Sequence, residues 1–159
     1  MELQVLTLSP AAEAPVLRPA RAADHAALVE LWRRSVEASH DFLAPGALAD
    51  IEAEVRGALP AVAELWLAEA GGPPAGFLGC TGPHVDMLFV APEFFRRGVG
   101  TRLLAHARGL HGPLSVEVNE SNARACALYR ARGFVVTGRS PVDGAGRPYP
   151  LLFLSEAGA

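Results

Sequence analysis

Hydrophobic and polar positions along the chain change period several times, and each change marks an element. A short apolar run at 16–18 reads as a strand. Over 22–38, Leu28, Leu31, Trp32, Ser35 and Val36 recur at helical spacing and predict a helix with one buried face. Pro45 and Gly46 interrupt the chain, after which Leu48, Ile51, Val55 and Leu59 stripe a second helix over 47–59. Two apolar runs at 65–70 and 75–81, joined by Gly71-Gly72-Pro73-Pro74, predict an antiparallel hairpin.

The stretch from His84 to Gly109 organises the rest. Val85, Met87, Leu88, Phe89 and Val90 form a strand-like run that stops at Pro92. The chain then passes through Arg96-Arg97-Gly98-Val99-Gly100 into a helix carrying Leu103, Leu104, Ala107 and Leu110, ended by Gly112-Pro113. A buried strand follows at 114–118. Strand, helix and strand in that order give a right-handed crossover with parallel strands. Asn122 is placed to cap a helix over 122–132 with Ala125, Leu128 and Tyr129 on one face, closed by Gly133. A hairpin of 134–140 and 149–155 ends the chain. The expected fold is α/β of the α+β kind: a mixed, mostly antiparallel sheet with a central parallel β-α-β unit and helices on both faces. One domain over 1–159 is expected, with 1–15 a loose arm.

Glycines at the start of a helix leave its first N–H groups open to a ligand, and two arginines beside that positive helix end point to an anion between them. A solvated arginine pair on a tight turn is the alternative reading of these five residues alone. A P-loop is excluded, because Gly100 is followed by Thr101-Arg102 rather than Lys-Ser/Thr. A dinucleotide fingerprint fails as well, since Leu103 stands where its third glycine belongs.

Composition narrows the ligand. The chain is 50% hydrophobic and 19% charged, which is enough apolar surface for a core. A net charge of -3 gives no general basis for nucleic-acid binding, so anion recognition is expected to be local and the ligand small. The two cysteines, Cys80 and Cys126, read as core residues of a reduced cytoplasmic protein. No apolar run is long enough to span a membrane. His84, Asp86, His106 and His111 are not spaced as a ligand set, so no metal is expected.

The run Leu88-Phe89-Val90-Ala91-Pro92, the turn Arg97-Gly98-Val99-Gly100, and Asn119, Asn122 and Ala125-Cys126-Ala127-Leu128-Tyr129-Arg130-Ala131-Arg132-Gly133-Phe134 resemble the GNAT N-acetyltransferase family. The order of predicted elements resembles that family over nearly the whole chain, and the nearest likeness is to small single-domain bacterial members. Phe95 departs from the family pattern, which has Arg or Gln at that place in the turn. The resemblance implies acetyl-CoA as acetyl donor, with its pyrophosphate on the amides of Arg97, Gly98, Val99, Gly100 and Thr101, and Arg96 nearby. It places the pantetheine chain along Leu88, Phe89 and Val90, where the two parallel strands part, and Asn119 and Asn122 beside the thioester arm.

The same resemblance implies direct attack of a primary amine on the thioester in a ternary complex. Tyr129 is then the acid that protonates the departing thiolate, and a backbone N–H near Phe89 or Val90 stabilises the oxyanion. His84 is the first candidate for the base, imidazole being the side chain that exchanges protons near neutral pH, and Glu117 on the neighbouring strand competes with it. The acceptor amine is open, from small molecule to protein lysine, with His40, Asp41, Phe42 and Tyr149 expected to shape the choice. The chain is expected as a monomer or homodimer. A non-catalytic acyl-CoA sensor and a cofactor-free interaction domain are the alternatives from other classes.

Overall fold

A computed structural model describes residues 15–39, 43–44 and 46–158. Among these residues seven strands and four α-helices follow the predicted order: β1 (Val16–Pro19), α1 (His25–Ser39), α2 (Ala47–Ala58), β2 (Glu64–Glu69), β3 (Pro74–Thr81), β4 (His84–Val90), α3 (Val99–His111), β5 (Ser115–Asn119), α4 (Ala123–Ala131), β6 (Phe134–Ser140) and β7 (Leu151–Glu156). The strands form one sheet in the order β1-β2-β3-β4-β5-β7-β6. Every neighbouring pair is antiparallel except β4 and β5, which are parallel as the crossover through α3 requires. Two boundaries differ from the sequence pattern by more than one residue. The first turn of the predicted first helix, Ala22–Asp24, is a 3₁₀ turn, and β7 begins at Leu151 because Pro150 has no N–H to give a ladder.

Strand alternation divides the core between the two faces of the sheet. Leu67 and Phe77 point to one side, where they meet Leu28, Leu31, Trp32 and Val36 of α1 and Val55 of α2. Ala68, Leu78, Val85, Val116, Val118 and Leu154 point to the other, against Val99, Leu103 and Ala107 of α3 and Cys126 and Tyr129 of α4. The helices therefore cover both faces, as the amphipathic stripes predict.

One irregularity positions the site. Gly79 pairs with Met87 but Cys80 pairs with Val85, so Asp86 is a bulge residue with no Cα partner on β3. Its carboxylate accepts a hydrogen bond of 2.7 Å from the Thr81 hydroxyl. A bulge bends its strand, and here the pairing of β4 with β5 stops at the same point: only His84↔Ser115 and Val85↔Val116 are in register. From Met87 onward β4 leaves β5, while β5 stays paired with β7 over all five residues from Ser115 to Asn119.

Candidate active site

The parting of β4 and β5 opens a cleft of about 660 Å³, within the range of small-molecule sites. Leu88, Phe89 and Val90 form one wall, the start of α3 stands at the mouth, α4 forms the opposite wall, and Ser35 and Ser39 reach in from α1. Beyond Val85 the β5-facing backbone groups of β4 have no strand partner among the described residues. An extended chain bearing amides can complete them, which is what an unpaired buried edge requires.

At the mouth, Gly98 precedes α3 with φ of 80° and no side-chain cap. This left-handed conformation is open to glycine without strain. The helix ladder begins with Arg102 N–H donating to the Gly98 carbonyl at 3.0 Å, so the amides of Gly98, Val99, Gly100 and Thr101 have no backbone acceptor among the described residues. Gly98, Val99, Gly100 and Thr101 all line the cleft. Arg96 also lines it, from a left-handed φ of 62° that is unusual for a side-chain-bearing residue. Arg97 turns aside, its guanidinium 5.9 Å from the Phe94 ring centroid.

Tyr129 lies inside the cleft on the helix opposite β4, buried to 4% exposure, with its ring edge-on to Phe134 at 5.2 Å. Its hydroxyl has no hydrogen-bond partner among the described residues. Burial pushes its pKa well above the ordinary value near 10, because the phenolate loses its hydration. The side chain keeps its proton through the neutral range, the state a general acid needs. Asn122 also lines the cleft, and its Oδ1 accepts the Ala125 N–H at 3.1 Å, the capping bond expected of it.

The remaining sequence candidates lie beside the cleft rather than in its lining. His84 is half-buried at the first of the two paired rungs of β4 and β5, one residue before the last, and its Nδ1 is 2.8 Å from the Ser115 hydroxyl. Glu117 is exposed on the same sheet face as Ser115, two positions along β5. Asn119 ends β5, its carbonyl accepting the Asn122 N–H at 2.9 Å. His40, Asp41 and Phe42 lie outside the described residues. Tyr149 is half-buried, and its hydroxyl accepts the Ala44 N–H at 3.0 Å, tying the final loop to the α1–α2 segment.

Two contributors were not singled out as a pair from the sequence. Arg124, in the first turn of α4, lays its guanidinium 3.9 Å from the Phe95 ring centroid, and both residues line the cleft. They are separated by 29 positions, so only the closeness of the α3 and α4 starts in space brings them together. Elsewhere, at the far end of α3, His111 Nε2 is 3.0 Å and Cys80 Sγ 3.7 Å from the same Glu64 oxygen. This polar cluster ties α3 to the β2–β3 hairpin, and the bond from His111 holds the Glu64 carboxyl below the usual range. Cys80 and Cys126 are both buried and unpaired with each other. No helix among the described residues is long and apolar enough to cross a membrane.

A sheet split at its parallel pair, a helix start with open amides at the mouth and a protonated tyrosine within therefore share one cleft. A family model described as an acetyltransferase (GNAT) domain matches residues 61–136, and the chain belongs to that family of acetyltransferases. Among its relatives, the peptidyl-lysine N-acetyltransferase YjaB of Salmonella typhimurium is 44% identical over 139 residues, covering 87% of this chain and 95% of that protein. The YjaB of Escherichia coli is 43% identical over 144 residues, covering 90% and 97%. The solution structure of apo YjaB from Escherichia coli matches with a TM-score of 0.83 at 42% identity, covering 91% of this chain and 99% of that one.

Proposed function

We propose that this chain transfers the acetyl group of acetyl-CoA to the ε-amino group of a lysine in a peptide or protein. The observation that carries the reading is the cleft itself: unpaired β4 backbone, open amides at the α3 start and a buried, protonated Tyr129 share one space. The lysine acceptor follows the two curated relatives, which match over nearly their whole lengths. An exposed Glu117 on β5, beside the split, suits an approaching cation. Two buried, unpaired cysteines accord with action in a reducing cytoplasm.

Acetyl-CoA supplies the activated thioester. The amides of Gly98 through Thr101 hold its pyrophosphate, assisted by Arg96, and the β4 edge at Leu88, Phe89 and Val90 aligns the pantetheine amides. His84 takes the proton of the incoming ammonium, directly or through water. Its ring is held by Ser115, and when Nδ1 donates to that hydroxyl the lone pair of Nε2 is left for the base role. The amine nitrogen bonds to the carbonyl carbon while a backbone N–H of Phe89 or Val90 meets the charge developing on oxygen. As the C–S bond breaks, Tyr129 gives its proton to the leaving sulfur, and the nitrogen releases its second proton through solvent, from which Tyr129 is reprotonated.

The test is incubation with acetyl-CoA and a lysine peptide whose own N-terminus is blocked, read by mass spectrometry of the peptide and by thiol release. Acetyl on the lysine side chain is expected. Tyr129→Phe should lower turnover by about 10²-fold and leave acetyl-CoA affinity within about two-fold. A blocked peptide left unmodified while small amines are acetylated would overturn the lysine reading. Unchanged turnover of Tyr129→Phe, with chemistry limiting the rate, would remove Tyr129 as the acid.

A further inference from the structure

The turn before α3 places phenylalanine, not a polar side chain, at position 95, and the structure shows what that ring does. The Arg124 guanidinium lies over it at 3.9 Å from the centroid, a distance at which the cation faces the ring's negative surface. The ring comes from the β4–α3 turn and the cation from the first turn of α4, so the stack bridges the two walls at the mouth of the cleft.

The chemistry of the stack points outward to an anion. Of the two arginines that line the cleft, Arg96 and Arg124, neither has a carboxylate partner among the described residues, and only Arg124 is held over an aromatic ring. Stacking occupies the flat face of the guanidinium and leaves its in-plane N–H fork to hydrogen-bond, the geometry that suits a phosphate bidentately. Phe95 fixes the side chain's direction, so less rotamer freedom remains to be lost on binding.

Coenzyme A carries two separate phosphate groups, the pyrophosphate and a monoester on the ribose 3′-oxygen. The open amides of α3 answer the first. Arg124 stands at the same mouth but on the opposite wall, five residues and about 7–8 Å of helix from the Tyr129 that marks the inner end. We propose that Phe95 and Arg124 form a stacked clamp that recognises the 3′-phosphate of the acetyl donor, so that this chain selects donors bearing that phosphate. The inference rests on the reading of the cleft as an acetyl-CoA site.

Equilibrium titration of the wild type, Arg124→Ala and Phe95→Leu with acetyl-CoA and with 3′-dephospho-acetyl-CoA tests it. The wild type should bind acetyl-CoA about ten-fold or more tighter than the dephospho donor. Arg124→Ala should lose that preference by weakening acetyl-CoA alone, with the dephospho donor bound within about two-fold of wild type. Phe95→Leu, which keeps the charge and removes the ring face, should lose part of the preference. Equal weakening of both donors by Arg124→Ala, or a wild type without preference between them, would overturn the clamp while leaving the cofactor reading intact. Binding of neither donor by the wild type would overturn the cofactor reading and the clamp with it. Arg124 is exposed, so the alanine variant should match the wild type in thermal unfolding, and that control separates lost contact from lost fold.

Discussion

Gly98 does two things at one residue: its φ of 80° turns the chain into α3, and it leaves the amides beyond it uncovered. A Cβ there would meet nothing within 4 Å, so the cost of a side chain is backbone strain alone, about 1–2 kcal/mol for a left-handed conformation. Gly98→Asp adds a carboxylate at the place the pyrophosphate is to occupy. It should weaken acetyl-CoA by at least ten-fold in a calorimetric titration and lower the melting temperature by only about 2–8 °C. Retained affinity would separate the helix start from phosphate binding. The Gly98 turn into α3 was legible in the sequence, because glycines stand where the strand run gives way to the helical period, while the letters alone left a plain tight turn open beside the anion site. The Arg124–Phe95 stack was not, since neither residue type signals a partner that lies 29 positions away. Nor does the His84 pattern reveal that Ser115 stands beside its ring, because that contact depends on the register between β4 and β5.

At the scale of elements, the pattern predicted all eleven in order: the helices by their one-sided stripes, and strands such as β3, buried on both faces, as short apolar runs bounded by glycine and proline. The bulge at Asp86 was illegible: a two-residue period read along one strand does not report which residue its neighbour skips. Yet the bulge and the split that follows create the cleft. Their depth depends on how closely α3 lies on β3, and Gly76 sets that distance. A Cβ at Gly76 would come 2.8 Å from Val99 Cγ1 and 3.1 Å from the Phe89 carbonyl oxygen, so α3 or β4 must shift to admit it. Gly76→Ala should destabilise the protein by about 1–3 kcal/mol in denaturant unfolding. It should also weaken acetyl-CoA, since both displaced neighbours line the cleft. An unaltered affinity would show that the cleft tolerates movement of α3.

Over the whole molecule, the donor and acceptor sides are built differently. The cleft proposed for the donor is walled by β4, α3 and α4 of the central part of the chain, with Ser35 and Ser39 of α1, whereas the side proposed for the acceptor is crossed by contacts between segments about a hundred positions apart. Tyr149 accepts the Ala44 N–H, and Arg147, held by Asp143 at 3.3 Å, pairs with Glu54 of α2. These contacts strap the β6–β7 loop to the α1–α2 segment and to α2. An exposed ion pair contributes little by itself, so the tie tested is the hydrogen bond from Ala44 to the half-buried Tyr149. Tyr149→Phe removes that acceptor while keeping the ring. If the strap positions the peptide, KM for the acceptor should rise about three- to ten-fold, the loss expected for one hydrogen bond, with the acetyl-CoA dissociation constant unchanged. If acceptor KM stays at the wild-type value, the strap serves only the fold. An equal loss in donor affinity would mean instead that the two sides of the sheet are coupled through the β4–β5 split.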